Sequence, residues 1–111
     1  MQSPNYFSGI VKILENPRHK TVRNNIITTQ CRALIPPSRK NKLPKVVLLI
    51  FWGTLARDIT NYYQMNDYIL IEGYLSIKTS KKNHFQFSNS KKVLVTILKF
   101  YPILLKLKKY E

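Results

Sequence analysis

Apolar and polar positions alternate along most of this chain in short runs separated by turn-forming residues, the pattern of strands rather than of helices. From Tyr6 to Leu14 (YFSGIVKIL), Phe7, Gly9, Val11 and Ile13 share one face, and Tyr6, Ser8 and Lys12 share the other. Glu15-Asn16-Pro17-Arg18 reads as the turn that closes this strand. Ile26 to Ile35 predicts a second strand with less regular alternation. Residues 36–44 predict a loop, because Pro36, Pro37 and Pro44 cannot donate to a ladder.

Val46 to Trp52 (VVLLIFW) is apolar on both faces, which predicts a central strand covered on both sides or a surface for assembly. Gly53 stops that strand. Thr54 is the expected N-cap of a short helix, roughly two to three turns, with Leu55, Ile59 and Tyr62 on one stripe. Alternation then returns: Ile69, Ile71, Leu75 and Ile77 face one way, while Glu72, Tyr74 and Ser76 face the other, continuing to Lys78. Lys78 to Lys92 (KTSKKNHFQFSNSKK) reads as a polar, basic hairpin, and Val93 to Phe100 as the last strand.

Five strands with one short helix between the third and fourth predict an all-β fold, a five-stranded Greek-key barrel of the OB type. Gly9, Gly53 and Gly73 fall in or beside strands, where a curled sheet bends most readily. At 111 residues the chain is expected to form one domain over 1–104, followed by a short basic tail over 105–111. The longest apolar run, Val46 to Trp52, is far short of the roughly 20 residues that span a bilayer, so no membrane association is expected. The opening residues MQSPNYFSG lack the features of a signal or transit peptide.

Charge changes the picture from fold to partner. The chain carries 19 Lys and Arg against 5 Asp and Glu, a formal +14. Residues 1–45 hold +8, residues 46–77 hold −2, and residues 78–111 hold +8. A near-neutral apolar scaffold between basic arms attracts a polyanion, which points to nucleic acid. An anionic membrane surface is one alternative. Another is codon bias, since abundant Lys, Ile, Asn and Tyr with scarce Ala is what an AT-rich genome, such as an organellar one, produces.

Catalysis finds no support. His19 and His84 lie in separate basic segments and read as solvated loop residues, and Cys31, the single cysteine, reads as a small apolar strand residue. No glycine-rich phosphate loop is present, and five scattered carboxylates form no acid–base pair. No catalytic residue, metal ligand or cofactor is therefore assigned. Capture of a single strand needs cations along the phosphates and aromatic faces for the bases. Trp52, opposite in parity to Phe51, is the foremost stacking candidate, and Tyr74 with Lys78 follows on the next strand. Phe85 and Phe87 lie among Lys81, Lys82, Lys91 and Lys92, and the proline-rich loop adds Arg39, Lys40 and Lys42. The plainer reading makes these aromatics core residues, with Phe85 and Phe87 pinning a hairpin.

The order FWGTLARDI, a helix, then YILIEGYLS resembles the bacterial-type single-stranded-DNA-binding protein family, and Glu15-Asn16-Pro17-Arg18 resembles its turn after the first strand. Within that family, the chain is most similar to the small plastid-encoded members of algae. The resemblance spans roughly residues 5–100, with its specificity in 46–77. It implies that Trp52 stands where the family has a base-stacking phenylalanine. It also implies that Tyr74 and Lys78 lie on the nucleic-acid face, that Lys12 contacts the backbone, and that the protein is a homo-oligomer, a dimer or tetramer. Two tryptophans of bacterial members are missing: the 36–44 loop has none, and Ser80 occupies the hairpin-arm position. The chain ends KLKKYE instead of in a glycine-rich tail with an acidic tip, so no partner recruitment through such a tail is expected.

The resulting expectation is non-sequence-specific binding of single-stranded DNA in DNA replication, repair or maintenance, in a plastid (chloroplast). An RNA-binding module of the same fold and a structural subunit of an organellar complex are the alternatives. Recognition of the 2′-OH depends on local geometry that sequence does not carry.

Overall fold

The computed structural model describes residues 5–39, 42–80 and 90–103. Strand β1 (Tyr6–Ile13) is followed by a short β2 (Arg18–Thr21), then β3 (Ile27–Ile35) and β4 (Lys45–Trp52). A single helix, α1 (Thr54–Tyr62), leads to two long strands, β5 (Tyr68–Ser80) and β6 (Ser90–Pro102). β1 pairs with β5, β5 with β6, β6 with β4, β4 with β3, and β3 returns to β1 through Lys12↔Leu34 and Ile13↔Ala33. These five strands close a ring in the order expected of an OB-type Greek-key barrel, with α1 between the third and fourth of them. All of the pairings are antiparallel except β4 with β6.

The sixth strand is an addition to the predicted five. β2 pairs along β3 from Arg18↔Gln30 to Thr21↔Ile27. The hairpin between them turns at Asn24 and Asn25, which both take left-handed backbone (φ 61° and 60°), a conformation asparagine tolerates better than most residues. His19 therefore lies on a strand and not in a loop. Its Nδ1 sits 2.9 Å from the Thr29 hydroxyl, which in turn donates to the Ala56 carbonyl at 2.9 Å.

Alternation builds the interior. Val11 and Ile13 of β1, Cys31 and Ala33 of β3, Val47, Leu49 and Phe51 of β4, Ile69 and Ile71 of β5, and Val95 and Ile97 of β6 are buried. Burial pushes the Cys31 thiol up to about 12, with a smaller push from the Glu15 charge, so it stays protonated as an apolar filler. Among the described residues no second layer covers the outer positions of β4: Val46 is exposed, and Leu48 and Ile50 are half-buried.

One end of the barrel is stoppered by α1, whose buried residues are Ala56 and Ile59. Tyr62 is not on the buried stripe but in solvent. Its place is taken by Tyr63, just past the helix, which meets Phe100 edge-on at 5.6 Å. Phe100 also packs edge-on against buried Phe51 at 5.6 Å. The stripe rotates toward Ala56 because a small side chain lets the helix approach Thr29, whose hydroxyl reaches the Ala56 carbonyl. Thr54 is the first helical residue rather than the cap. Gly53 holds the cap position with φ 61°, and its carbonyl accepts from the Ala56 and Arg57 amides.

Two local devices set the register of β5 and β6. Glu72 faces Lys99 while Gly73 faces Ile97, so Leu98 is an extra residue in β6. This bulge reverses the parity of β6, which lets Ile97 and Phe100 both point inward. Gly73 is needed beside it, because a Cβ there would stand 2.2 Å from the Thr96 carbonyl oxygen. Among the described residues, no helix is long and apolar enough to cross a membrane.

Gly73→Ala is accordingly expected to destabilise the fold by about 2 kcal/mol through overpacking, lowering Tm by roughly 10 °C in thermal melts. A second expectation concerns pH. Glu15 accepts from the Arg32 amide at 2.9 Å and pairs with its guanidinium at 3.2 Å, and these contacts, the backbone bond foremost, hold its carboxyl below the ordinary range. The stabilisation is then present above the ordinary carboxylate pKa and is lost as pH falls through the lowered one. Glu15→Gln should lower Tm by a few degrees at most at pH 7, since the pair is exposed, and the gap should close below about pH 4.

Candidate nucleic-acid interface

Because the interior consumes one parity of each strand, the other parity forms a continuous outer face. Cross-strand register places Tyr6, Tyr74, Thr96, Ile50, Gln30 and Arg18 in one row across all six strands. At the spacing of neighbouring strands this row runs about 24 Å along the sheet. A second row beside it holds Ser76, Leu94, Leu48 and Arg32.

Trp52 and Tyr74 both lie on this face. Trp52 is 45% exposed while Phe51 beside it is fully buried, and Tyr74 is 43% exposed while Leu75 packs on the core. The two aromatics flank β6 at about 12 Å from each other, from strand spacing and rise. Lys78 is exposed two residues beyond Ser76 on the same parity, opposite exposed Lys92. Arg39 and Lys42 are exposed in the loop between β3 and β4.

Lys12 is placed differently. It shares the outer parity of β1 but lies six residues from Tyr6, about 20 Å along the strand. There its ammonium sits 5.9 Å over the Tyr68 ring, away from Trp52 and Tyr74. Lys40, Lys81, Lys82, Phe85, Phe87 and the tail over 105–111 lie outside the described residues.

Tyr6 joins the cluster although the sequence reading did not select it. Its ring, 49% exposed, meets Tyr74 edge-on at 6.1 Å and 71°. Desolvation foremost, and then a hydrogen bond donated to the Glu72 carboxylate, raise its phenol above the ordinary value. The signal for Tyr6 was its shared parity with Lys12. What singles it out is the register Tyr6↔Tyr74, which only the sheet supplies. Arg18 and Lys20 were likewise unselected, because they lie on the strand absent from the sequence reading.

The electrostatics of the face are one-sided. Of the four carboxylates among the described residues, Asp67 accepts the Gln64 amide at 2.8 Å and Asp58 lies on α1, while Glu72 stands in the outer face opposite Lys99 and Glu15 stands at its edge, paired with Arg32. Half-exposed aromatic rings beside lysines and arginines can stack planar bases while the cations follow a polyanionic backbone. No group of histidine, cysteine or carboxylate side chains among the described residues is arranged to hold a metal ion.

No protein-family model matches the chain. A protein of Trieres chinensis named "Putative single-stranded DNA-binding protein ycf41" is 35% identical over 102 residues, which cover 91% of this chain and 90% of that protein. Among solved structures, the SSB domain of a Synechococcus sp. protein superposes with a TM-score of 0.71 at 17% identity, covering 91% of this chain and 98% of that one. The second single-stranded DNA binding protein (SSBb) of Mycobacterium smegmatis gives 0.68 at 20% identity, covering 96% of each. The structural likeness shows a shared OB barrel, and the sequence identity over nine-tenths of both chains shows descent: this chain belongs to the single-stranded-DNA-binding protein family that includes ycf41 of Trieres chinensis.

Proposed function

We propose that this protein binds single-stranded DNA without sequence preference, by drawing the phosphates to its basic arms and stacking bases on Tyr6, Tyr74 and Trp52. The observation that carries this reading is the outer face itself, where three half-exposed aromatics share one parity with lysines and, among the described residues, Glu72 is the one carboxylate within the aromatic cluster. Family membership supports the same substrate. Every base has a π-face, so rings on a rigid sheet tolerate any sequence. The role is capture and protection of the strand.

Maintenance or replication of an AT-rich plastid genome is the setting that the composition and the family favour. Assembly as a dimer or tetramer is supported by the apolar stretch of outer face away from the tyrosine pair, where Ile10, Leu98 and Tyr101 are exposed. Sedimentation of the free protein at micromolar concentration is expected to give a mass at least twice that of the chain, and a monomer there would reject the assembly.

Titration with oligo-dT should quench the fluorescence of Trp52, the only tryptophan. Affinity should fall with salt at a log–log slope of about −0.7 per phosphate neutralised. Unchanged emission at saturation would remove Trp52 from the stacking site. Trp52→Ala and Tyr74→Ala should each weaken binding by ~1–3 kcal/mol while far-UV circular dichroism stays native. Oligo-U and duplex DNA complete the set: equal affinity for duplex would sink single-strand capture, and tighter binding of oligo-U would favour RNA.

A further inference from the structure

Helix α1 stoppers one end of the barrel, and the other end is open among the described residues. There each of the five ring strands contributes one inward apolar residue: Phe7, Ile35, Val47, Leu75 and Val93. Val46 and Ile77, 52% and 66% exposed, extend the apolar lip, and Asn5, Lys45 and Ser76 complete it. The concavity measures 870 Å³, within the range of roughly 300–1,000 Å³ of ligand-binding clefts.

We propose that this open end is a docking site for a partner protein, through a short peptide segment in which apolar side chains are flanked by carboxylates. The floor is aliphatic apart from Phe7. A nucleobase buried there would leave its polar edges without partners, a cost that a leucine side chain does not meet. The surroundings select the flanks. No carboxylate among the described residues lines the cavity, and Lys45 does line it. Immediately beyond Ile77 and Val93, the same two strands carry Lys78 opposite Lys92 and Thr79 opposite Lys91. An apolar anchor with acidic flanks is therefore complementary in both shape and charge, whereas a basic segment would be repelled. The apolar floor lies at the end of the barrel, so its anchor contact does not depend on the DNA-binding reading, although Ser76, Lys78 and Lys92 at the rim also belong to the outer face.

The test uses the full chain and fluorescence anisotropy with a fluorescein-labelled hexapeptide of two leucines flanked by glutamates. Replacing its leucines with serines should weaken binding by about tenfold or more, the equivalent of losing buried apolar side chains. Ile77→Asn should weaken the leucine peptide by about tenfold. Ile77 is mostly solvent-exposed, so this variant should keep its melting temperature and bind oligo-dT within about twofold of the parent. Lys45→Gln should weaken the peptide by several-fold. Equal binding of the serine peptide would reduce the effect to charge capture and overturn the proposal. So would an unchanged affinity in Ile77→Asn, or complete displacement of the peptide by oligo-dT. Binding seen only after deletion of residues 1–4 would show that the chain's own N-terminus fills the opening, and would overturn it as well.

Discussion

The barrel depends on one pairing, the parallel join of β4 to β6 through Leu48↔Leu94, Leu49↔Val95 and Ile50↔Thr96. A parallel pair cannot be made by a hairpin, so the chain must leave β4, cross the end of the barrel as α1, and lay down β5 before β6 can return beside β4. Without this join, the ring would open into a sheet β4–β3–β1–β5–β6 with β4 and β6 as bare edges, its two halves held only by the two residue pairs of β1 with β3. With it, Leu49 and Val95 meet in the interior, and Trp52 and Tyr74 come to flank one strand on the outside. The fold and the candidate site are consequences of the same three residue pairs.

Closure imposes geometry that the side chains then satisfy. β6 must pass close to β5 on one side and β4 on the other, and the sheet must curl as it does so. Gly73 admits the Thr96 carbonyl, and the extra residue Leu98 gives the strand its bend. The bend also turns Phe100 toward Phe51 and Tyr63, which completes the stopper at the helix end. The opposite end has no comparable plug among the described residues. This asymmetry leaves the molecule with two chemically different surfaces, an aromatic and basic outer face and an apolar mouth with a basic lip.

Much of this was legible in the chain. Alternation located the five ring strands, put the helix between the third and fourth, and set Phe51 and Trp52 on opposite faces, because side chains on successive strand residues must point to opposite faces. It did less well where contacts decide. β2 carries only exposed residues, so no apolar period marks it, and it exists because β3 offers an edge to pair with. Tyr62 fell on a reasonable helical stripe, yet the small Ala56 set the rotation of the helix. For the apolar outer side of β4, composition left a covered face and a surface for assembly both open, and no second layer covers it among the described residues.

The sequence by itself determined the alternation of most strands, where the charge lies, and that Trp52 must face opposite to Phe51 and Tyr74 opposite to Leu75. These follow from local periodicity and from counting charges. Only the tertiary structure decided that Trp52, Tyr74 and Tyr6 share one face and that Lys12 stands far from them. It alone placed five apolar residues from five strands around a single opening. Such neighbours are set by inter-strand register, and register is a property of paired strands that no single strand contains.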